Sequence, residues 1–216
     1  MLQSDEVKTY IAIILASTLV ICINCVDRFE NVWVSLKHSA FQVSSIITTT
    51  GFSTCDFNSW PALSKSILVL LMFVGACAGS TGGGIKVSRV LIYLKSIKKE
   101  IAIAAHPQLT KKIQMNGRTI EHETVRGVNV FMAAYLVVFV ASILIISLDN
   151  LDFTTNFTAV AATLNNIGPG LSLVGPTSNF SIYSVLSKFI LTFDMLIGRL
   201  EVFPMLVLFS PYTWKK

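Results

Sequence analysis

Lys37-His-Ser-Ala-Phe-Gln-Val-Ser-Ser-Ile-Ile-Thr-Thr-Thr-Gly51-Phe-Ser53 is the stretch that decides the fold. It is too polar and too short to cross a bilayer, yet it lies between apolar runs at Tyr10 to Val26 and from Ala62 onward. About 12 helical residues rise about 18 Å, roughly half the hydrocarbon thickness. Such a helix can enter a membrane and stop near its middle. The chain must then return as non-helical backbone, which is tolerated only where it lines protein or a water-filled cavity. Entry from outside directs the C-terminal, partly negative helix end inward, towards a cation. Gly51 lets the chain turn with carbonyls exposed, and rings of such carbonyls are how cation filters replace hydration water. A polar external loop with threonine and glycine turns is the plainer alternative.

The same order occurs a second time. Phe153-Thr-Thr-Asn-Phe-Thr-Ala-Val-Ala-Ala-Thr-Leu-Asn-Asn-Ile-Gly168-Pro-Gly170 follows a long apolar run, Val128 to Leu148, and precedes Tyr183 to Phe209. Placing Gly51 on Gly168 aligns Val43 with Val160 and Ser44-Ser45 with Ala161-Ala162, and Leu63-Ser64-Lys65 recurs as Leu186-Ser187-Lys188. Internal repeats are regular in membrane transport folds. The expected architecture is an all-α membrane protein of four spans, built as two span–pore-helix–span repeats. Residues 8–98 are the first pore repeat, 99–125 a basic cytoplasmic linker and 126–216 the second pore repeat.

Composition agrees. Of 216 residues, 53% are hydrophobic and 13% charged, with mean hydropathy +0.67; a soluble domain carries about 25% charged residues. A water-soluble enzyme and a disordered chain are both disfavoured. Lys and Arg set the orientation: nine lie between Lys86 and Arg126, and Lys8, Lys215 and Lys216 join them if four spans alternate, against Arg28, Lys37 and Lys65 on the other side. Both termini and the linker are therefore expected in the cytoplasm. The linker reads as a topology determinant touching lipid headgroups; without interleaved aromatics it does not read as a nucleic-acid site.

One span is interrupted. Ala62 to Ala78 runs into Gly79-Ser-Thr-Gly-Gly-Gly84, and the chain resumes as Ile85 to Ile97. Glycines cost a helix about 1 kcal/mol each relative to alanine, so Gly79, Gly82, Gly83 and Gly84 predict a break into a loop with unpaired carbonyls. Arg199 lies on the last span at or below the level of the filter, within reach of that loop. Loop and arginine together form a candidate gate; close helix packing is the plainer use of the glycines.

At this point the residues resemble a known family. Phe41-Gln-Val-Ser-Ser-Ile-Ile-Thr-Thr-Thr-Gly-Phe-Ser53 resembles a filter segment of the TrkH/KtrB/HKT potassium-transporter superfamily, and Asn165-Asn-Ile-Gly-Pro-Gly170 that of its fourth repeat. Ala78-Gly-Ser-Thr-Gly-Gly-Gly-Ile-Lys86 and Ile197-Gly-Arg-Leu-Glu-Val-Phe-Pro204 resemble two further signatures of its bacterial TrkH branch. The similarity spans nearly the whole chain but only the third and fourth of the family's four repeats. It implies a potassium-channel-like pore in the cytoplasmic (inner) membrane, with Thr49, Thr50, Gly51, Phe52, Asn166, Ile167, Gly168 and Pro169 lining the filter. It also implies potassium as the cargo, dimers, and a cytoplasmic ring of nucleotide-binding regulatory subunits. The chain has no organic cofactor site of its own: Ile85 separates Gly84 from Lys86, and no Ser or Thr follows the lysine as a P-loop requires.

Two filter segments cannot surround an ion. Either a missing N-terminal half or a second copy of the chain completes the ring. Two copies would bring two Arg199 side chains near one pore, costing about 2 kcal/mol at about 8 Å and a dielectric near 20, so the missing half is preferred. A truncated, non-conducting membrane anchor or assembly subunit is the alternative. Cys22, Cys25, Cys55 and Cys77 read as small hydrophobes, and His38, His106 and His122 are too scattered for a metal site. No nucleophile elbow is present. Asp194 and Arg199 are either an ion pair within the span or charges with a function, while Lys188 suits a snorkelling position at the outer end.

Overall fold

The computed structural model describes residues 4–80, 82–106 and 112–200. The expectations for Lys111, Glu201, Pro204, Lys215 and Lys216, and for the last span beyond Leu200, lie outside these residues. The elements run α1 (Asp5–Cys25), α2 (Val32–Ile47), α3 (Ala62–Phe73), α4 (Val87–Ala105), β1 (Gln114–Met115), β2 (Arg118–Thr119), α5 (His122–Ile146), α6 (Phe153–Leu164) and α7 (Val185–Leu200). The two strands form one short antiparallel hairpin between α4 and α5. The other regular elements among the described residues are helices, in line with the expected class.

Among the described residues, two stretches are long and apolar enough to cross a bilayer unaided: Asp5–Arg28, with mean hydropathy 2.2, and His122–Asp149, with 2.7. Helices α3 and α4 are separated by a stretch, 74–86, whose described residues are not helical. The predicted break is present but opens earlier than the glycines, because α3 ends at Phe73 and not at Ala78. Helix α4 carries the chain through Lys98 and Lys99 to Ala105, so the basic segment between the repeats begins as helix.

The half-length helices are α2, of 16 residues, and α6, of 12. Each starts on a side-chain cap: Asn31 accepts from the Val34 N–H and Asp152 from the Thr155 N–H, both at 3.0 Å. The Thr155 hydroxyl also donates to Asp152, and this, with the backbone N–H, holds that carboxyl below its ordinary range. Each repeat packs its long helix, its half-helix and its returning helix on one another; α3 also meets α6, and α4 lies on α5 and α1.

Helix α6 is the centre of the molecule. Ala159, Val160, Ala161, Ala162 and Leu164 have no exposed surface. The small side chains let α5, α7 and α3 approach its backbone, as small residues do between membrane helices. The closest approach is at Gly198, where a Cβ would stand 1.9 Å from the Leu164 carbonyl oxygen.

Gly198→Val should therefore lower thermal stability by about 2 kcal/mol, the range for overpacking a tight contact. Gly127→Ala is the matched control, because a Cβ there meets nothing within 4 Å; it should leave the melting temperature unchanged or raise it. Fluorescence-detected melting of the purified variants measures both.

Candidate ion pathway

The two half-helices end in the same way. Thr49 N–H bonds the Ile46 carbonyl at 3.0 Å and Thr50 N–H bonds the Ser45 carbonyl at 2.8 Å; Asn166 N–H bonds Thr163 at 3.0 Å and Ile167 N–H bonds Ala162 at 2.8 Å. Thr49 and Asn166 each have φ 56°, and Gly51 and Gly168 have φ 80° and 114°. This is a Schellman end, in which a left-handed residue turns the chain and satisfies the last helical carbonyls. Each second-repeat residue stands 117 positions after its counterpart, as Gly51 and Gly168 do in the sequence alignment. Asparagine tolerates the left-handed region; β-branched Thr49 is strained there.

The two ends meet. A Cβ on Gly51 would lie 1.9 Å from the Ile167 carbonyl oxygen and 3.4 Å from Pro169 Cδ. The same direction from Gly168 meets nothing within 4 Å. Thr50, Phe52 and Gly168 are exposed, Gly51, Thr49, Asn166 and Pro169 are partly covered, and the Ile167 side chain is buried. Hydroxyls brace the first segment: Ser45 donates to the Phe52 carbonyl at 2.6 Å, and Thr48 donates to Ser44 at 2.6 Å while accepting from Thr50 at 2.7 Å.

The glycine-rich loop lies against both helix ends. Its neck is closed by backbone bonds from Gly75 N–H to the Ile85 carbonyl, 2.8 Å, and from Ile85 N–H to Phe73, 3.2 Å. Gly83 donates its N–H to Thr49 Oγ1 at 3.2 Å, and a Cβ on Gly83 would stand 2.3 Å from the Asn165 carbonyl oxygen. Gly82 passes beside Thr49 and Thr48, Gly84 (φ 75°) beside Asn165 Oδ1, and Gly79 (φ 83°) is exposed at the far end. Asn165 is itself fixed by Tyr135, whose hydroxyl donates to Oδ1 at 2.9 Å. Lys86 reaches back to the Ser80 and Gly82 carbonyls.

Arg199 lies on the last turn of α7 within the described residues. The preceding Gly198 lines one narrow cleft with Gly84, Arg89 and Tyr135. The structure thus brings Thr49, Gly51, Asn166, Ile167, Gly82, Gly83 and Gly84 into one cluster, with the backbone before Arg199 at its edge; Gly79 stands away from it.

Asp194 does not turn along α7 to Arg199. Five residues apart on a helix, the two project about 140° from one another. Asp194 is buried against α5, where Ser142 Oγ donates to Oδ1 at 2.7 Å, and Oδ2 has no hydrogen-bond partner among the described residues. Lys188 Nζ donates to the Ser181 carbonyl at 3.0 Å on the exposed side. His38 bonds Thr54 and stacks on Phe29, and no group of three or more metal-ligating side chains occurs among the described residues. Cys22 and Cys25 are buried, and all four cysteines are free.

Sequence reading missed Glu6, whose Oε1 accepts from the Ala78 N–H at 2.7 Å and the Ser88 N–H at 3.2 Å, tying the start of α1 to both sides of the loop. The only signal was a carboxylate within reach of a helix N-terminus. The roles of Tyr135 and of the Thr49 hydroxyl carried no signal, because both depend on tertiary contact.

The family described as TrkH, cation transport protein, matches residues 10–216. Trk system potassium uptake protein TrkH of Salmonella typhimurium is 39% identical over 99% of this chain and 44% of its own length. That of Escherichia coli K12 is 40% identical over 92% of this chain and 42% of its own. The crystal structure of the potassium transporter TrkH from Vibrio parahaemolyticus superposes with a TM-score of 0.87 at 36% identity, covering 97% of this chain and 45% of that one. The chain spans less than half the length of the relatives it matches.

Thr49→Val removes the acceptor of the Gly83 N–H and keeps a β-branched residue in the left-handed region; the loss expected is about 1–3 kcal/mol. Thr49→Asn keeps an acceptor and relieves the backbone, so it should match or exceed the parent in stability. Amide hydrogen exchange at residues 82–84 should accelerate in the valine variant and not in the asparagine variant.

Proposed function

Because the chain belongs to the TrkH family of cation transport proteins, we propose that it supplies two of the four filter segments of a potassium-uptake pore in the cytoplasmic membrane. Thr49, Thr50, Gly51 and Phe52 line one segment and Asn166, Ile167, Gly168 and Pro169 the next. The observation that carries this reading is the contact of Gly51 with the Ile167 carbonyl, made between two helix ends with the same hydrogen-bond pattern. Two half-helices direct their negative ends at one place, and the carbonyls there substitute for the hydration shell of a potassium ion.

The remaining segments come from an N-terminal half that precedes this one. The open side of Gly168 supports that arrangement: a further segment repeating the Gly51–Ile167 contact would stand there. Dimerisation, both termini in the cytoplasm and a nucleotide-binding regulatory ring below complete the proposal, with the nucleotide held by the ring. Below the filter the loop of Gly79, Gly82, Gly83 and Gly84 forms a barrier with Arg199. The ring opens it by drawing on α4, whose start is joined to the loop through Glu6 and Lys86. A non-conducting anchor remains the reading to exclude.

Rubidium uptake by potassium-starved cells tests the proposal. A complete transporter carrying this half should take up rubidium, and its loss from a transporter with an intact partner half would favour the anchor. Gly51→Ser places a side chain against the Ile167 carbonyl, and should relax the preference for potassium over sodium while membrane insertion persists; an unchanged preference would refute the filter. Deleting residues 79–84 or changing Arg199 to Ala should raise flux several-fold. Wild-type flux in both would leave the glycines a packing role only.

A further inference from the structure

Between α4 and α5, on the side of the basic linker, two cavities run into one another. The lower, of about 540 Å³, is rimmed by Lys99, Lys112, Arg126 and His122, with Glu100 and Glu121 on its edge. The upper, of about 930 Å³, is walled mainly by apolar side chains, among them Phe73, Ile85, Leu136 and Phe139. Ser96, Glu100 and Asn129 line both, so the two form a continuous groove. Ile97, Ile101 and Leu136 are 40%, 64% and 60% exposed along it. Among the described residues, Lys99, Lys112 and Arg126 make no ion pair; the pair present nearby is Lys95 with Asp5.

The groove changes chemistry along its length. Its apolar part lies within the spans and its cationic part at their cytoplasmic end, where Lys and Arg concentrate. A protein helix laid in it would match the apolar wall but would leave three basic side chains facing its end without anionic partners. A molecule with an apolar chain and an anionic head matches both parts, and the surrounding bilayer supplies it at high concentration. Basic pockets between spans on the cytoplasmic side bind anionic headgroups by this chemistry.

We propose that this groove is a binding site for an anionic glycerophospholipid of the cytoplasmic leaflet. The phosphodiester lies among Lys99, Lys112 and Arg126, and hydroxyls of the headgroup donate to Glu100 and Glu121. One acyl chain rises along α4 and α5 onto Phe73 and Ile85. These two residues bracket the break in the span, so the lipid contacts both ends of the glycine loop's neck. The site rests on the chain's lying in a membrane and not on its conducting potassium, so a failed rubidium assay leaves it standing.

Native mass spectrometry of the purified protein tests it, with palmitoyl-oleoyl phosphatidylglycerol, phosphatidylcholine and phosphatidylethanolamine as probes. Phosphatidylglycerol should bind at least tenfold more tightly than the other two. Each basic side chain near a headgroup contributes about fivefold, so the K99Q/K112Q/R126Q variant should bind phosphatidylglycerol about 100-fold more weakly with phosphatidylcholine unchanged. Lys188→Gln, at the opposite end, should change nothing. Leu136→Trp, which fills the apolar part, should weaken all three lipids at unaltered melting temperature. Equal binding of the three lipids, indifference to the triple substitution, or displacement of phosphatidylglycerol by millimolar inorganic phosphate would each overturn the proposal. So would a disulfide between two copies through Ile101→Cys, which would put a second chain on the groove.

Discussion

Non-helical backbone withdrawn from water must find its hydrogen bonds within the protein, and the described residues between Val74 and Lys86 are arranged around that requirement. Each unpaired N–H or C=O in hydrocarbon costs several kcal/mol. The loop meets the demand with its own neck, through Gly75, Ile85 and Phe73, and with three borrowed groups: the Thr49 hydroxyl, the Glu6 carboxylate and the Lys86 ammonium. The borrowed groups fix where the loop lies. Because Thr49 also turns the chain at the end of α2, that helix end and the loop share one side chain, and displacement of either is felt by the other.

That sharing accounts for the strain at Thr49. A threonine in the left-handed region is unfavourable by about 1–3 kcal/mol, and Asn166 at the equivalent position avoids most of that cost. Asn166 uses its amide differently, donating from Nδ2 to the Met195 carbonyl of α7 at 3.1 Å. Both residues therefore tie a half-helix end to the span that returns beneath it. In the first repeat that span is broken and offers an N–H, which needs an acceptor; in the second it is continuous and offers a carbonyl, which needs a donor.

The architecture was legible in the sequence where composition and punctuation decide structure. Half-length polar segments, an apolar run on each side and a run of three glycines at 82–84 define the repeats and the break without reference to partners. Contacts across the fold were not legible. Glu6 lies 72 residues from Ala78, Ser142 lies 52 from Asp194 and Tyr135 lies 30 from Asn165. Asp194 shows why: sequence placed it near Arg199 on one helix, whereas burial against α5 selected a hydroxyl that no local pattern reveals.

The repeats are alike at their half-helix ends and unlike beyond them, and one pair of glycines shows how. The match of Leu63-Ser64-Lys65 with Leu186-Ser187-Lys188 sets Ser64 on Ser187, Leu68 on Leu191 and Gly75 on Gly198, and the first two pairs are buried in both repeats. Each glycine admits a carbonyl where a side chain would otherwise stand. At Gly198 it is that of Leu164, from the half-helix, with 1.9 Å left for a Cβ; at Gly75 it is that of Gly83, from the loop, with 2.4 Å. One glycine per repeat thus serves close approach and does not by itself break a helix, since α7 continues through Gly198 to Leu200. In the first repeat α3 ends at Phe73, before Gly75, and the chain beyond folds back on its own neck through Gly75 and Ile85. The symmetry therefore resides in the half-helix ends, while its absence beyond them comes from the non-helical backbone between α3 and α4. A loop supplied by one repeat can thus lie against both half-helix ends without any change in the residues that form them.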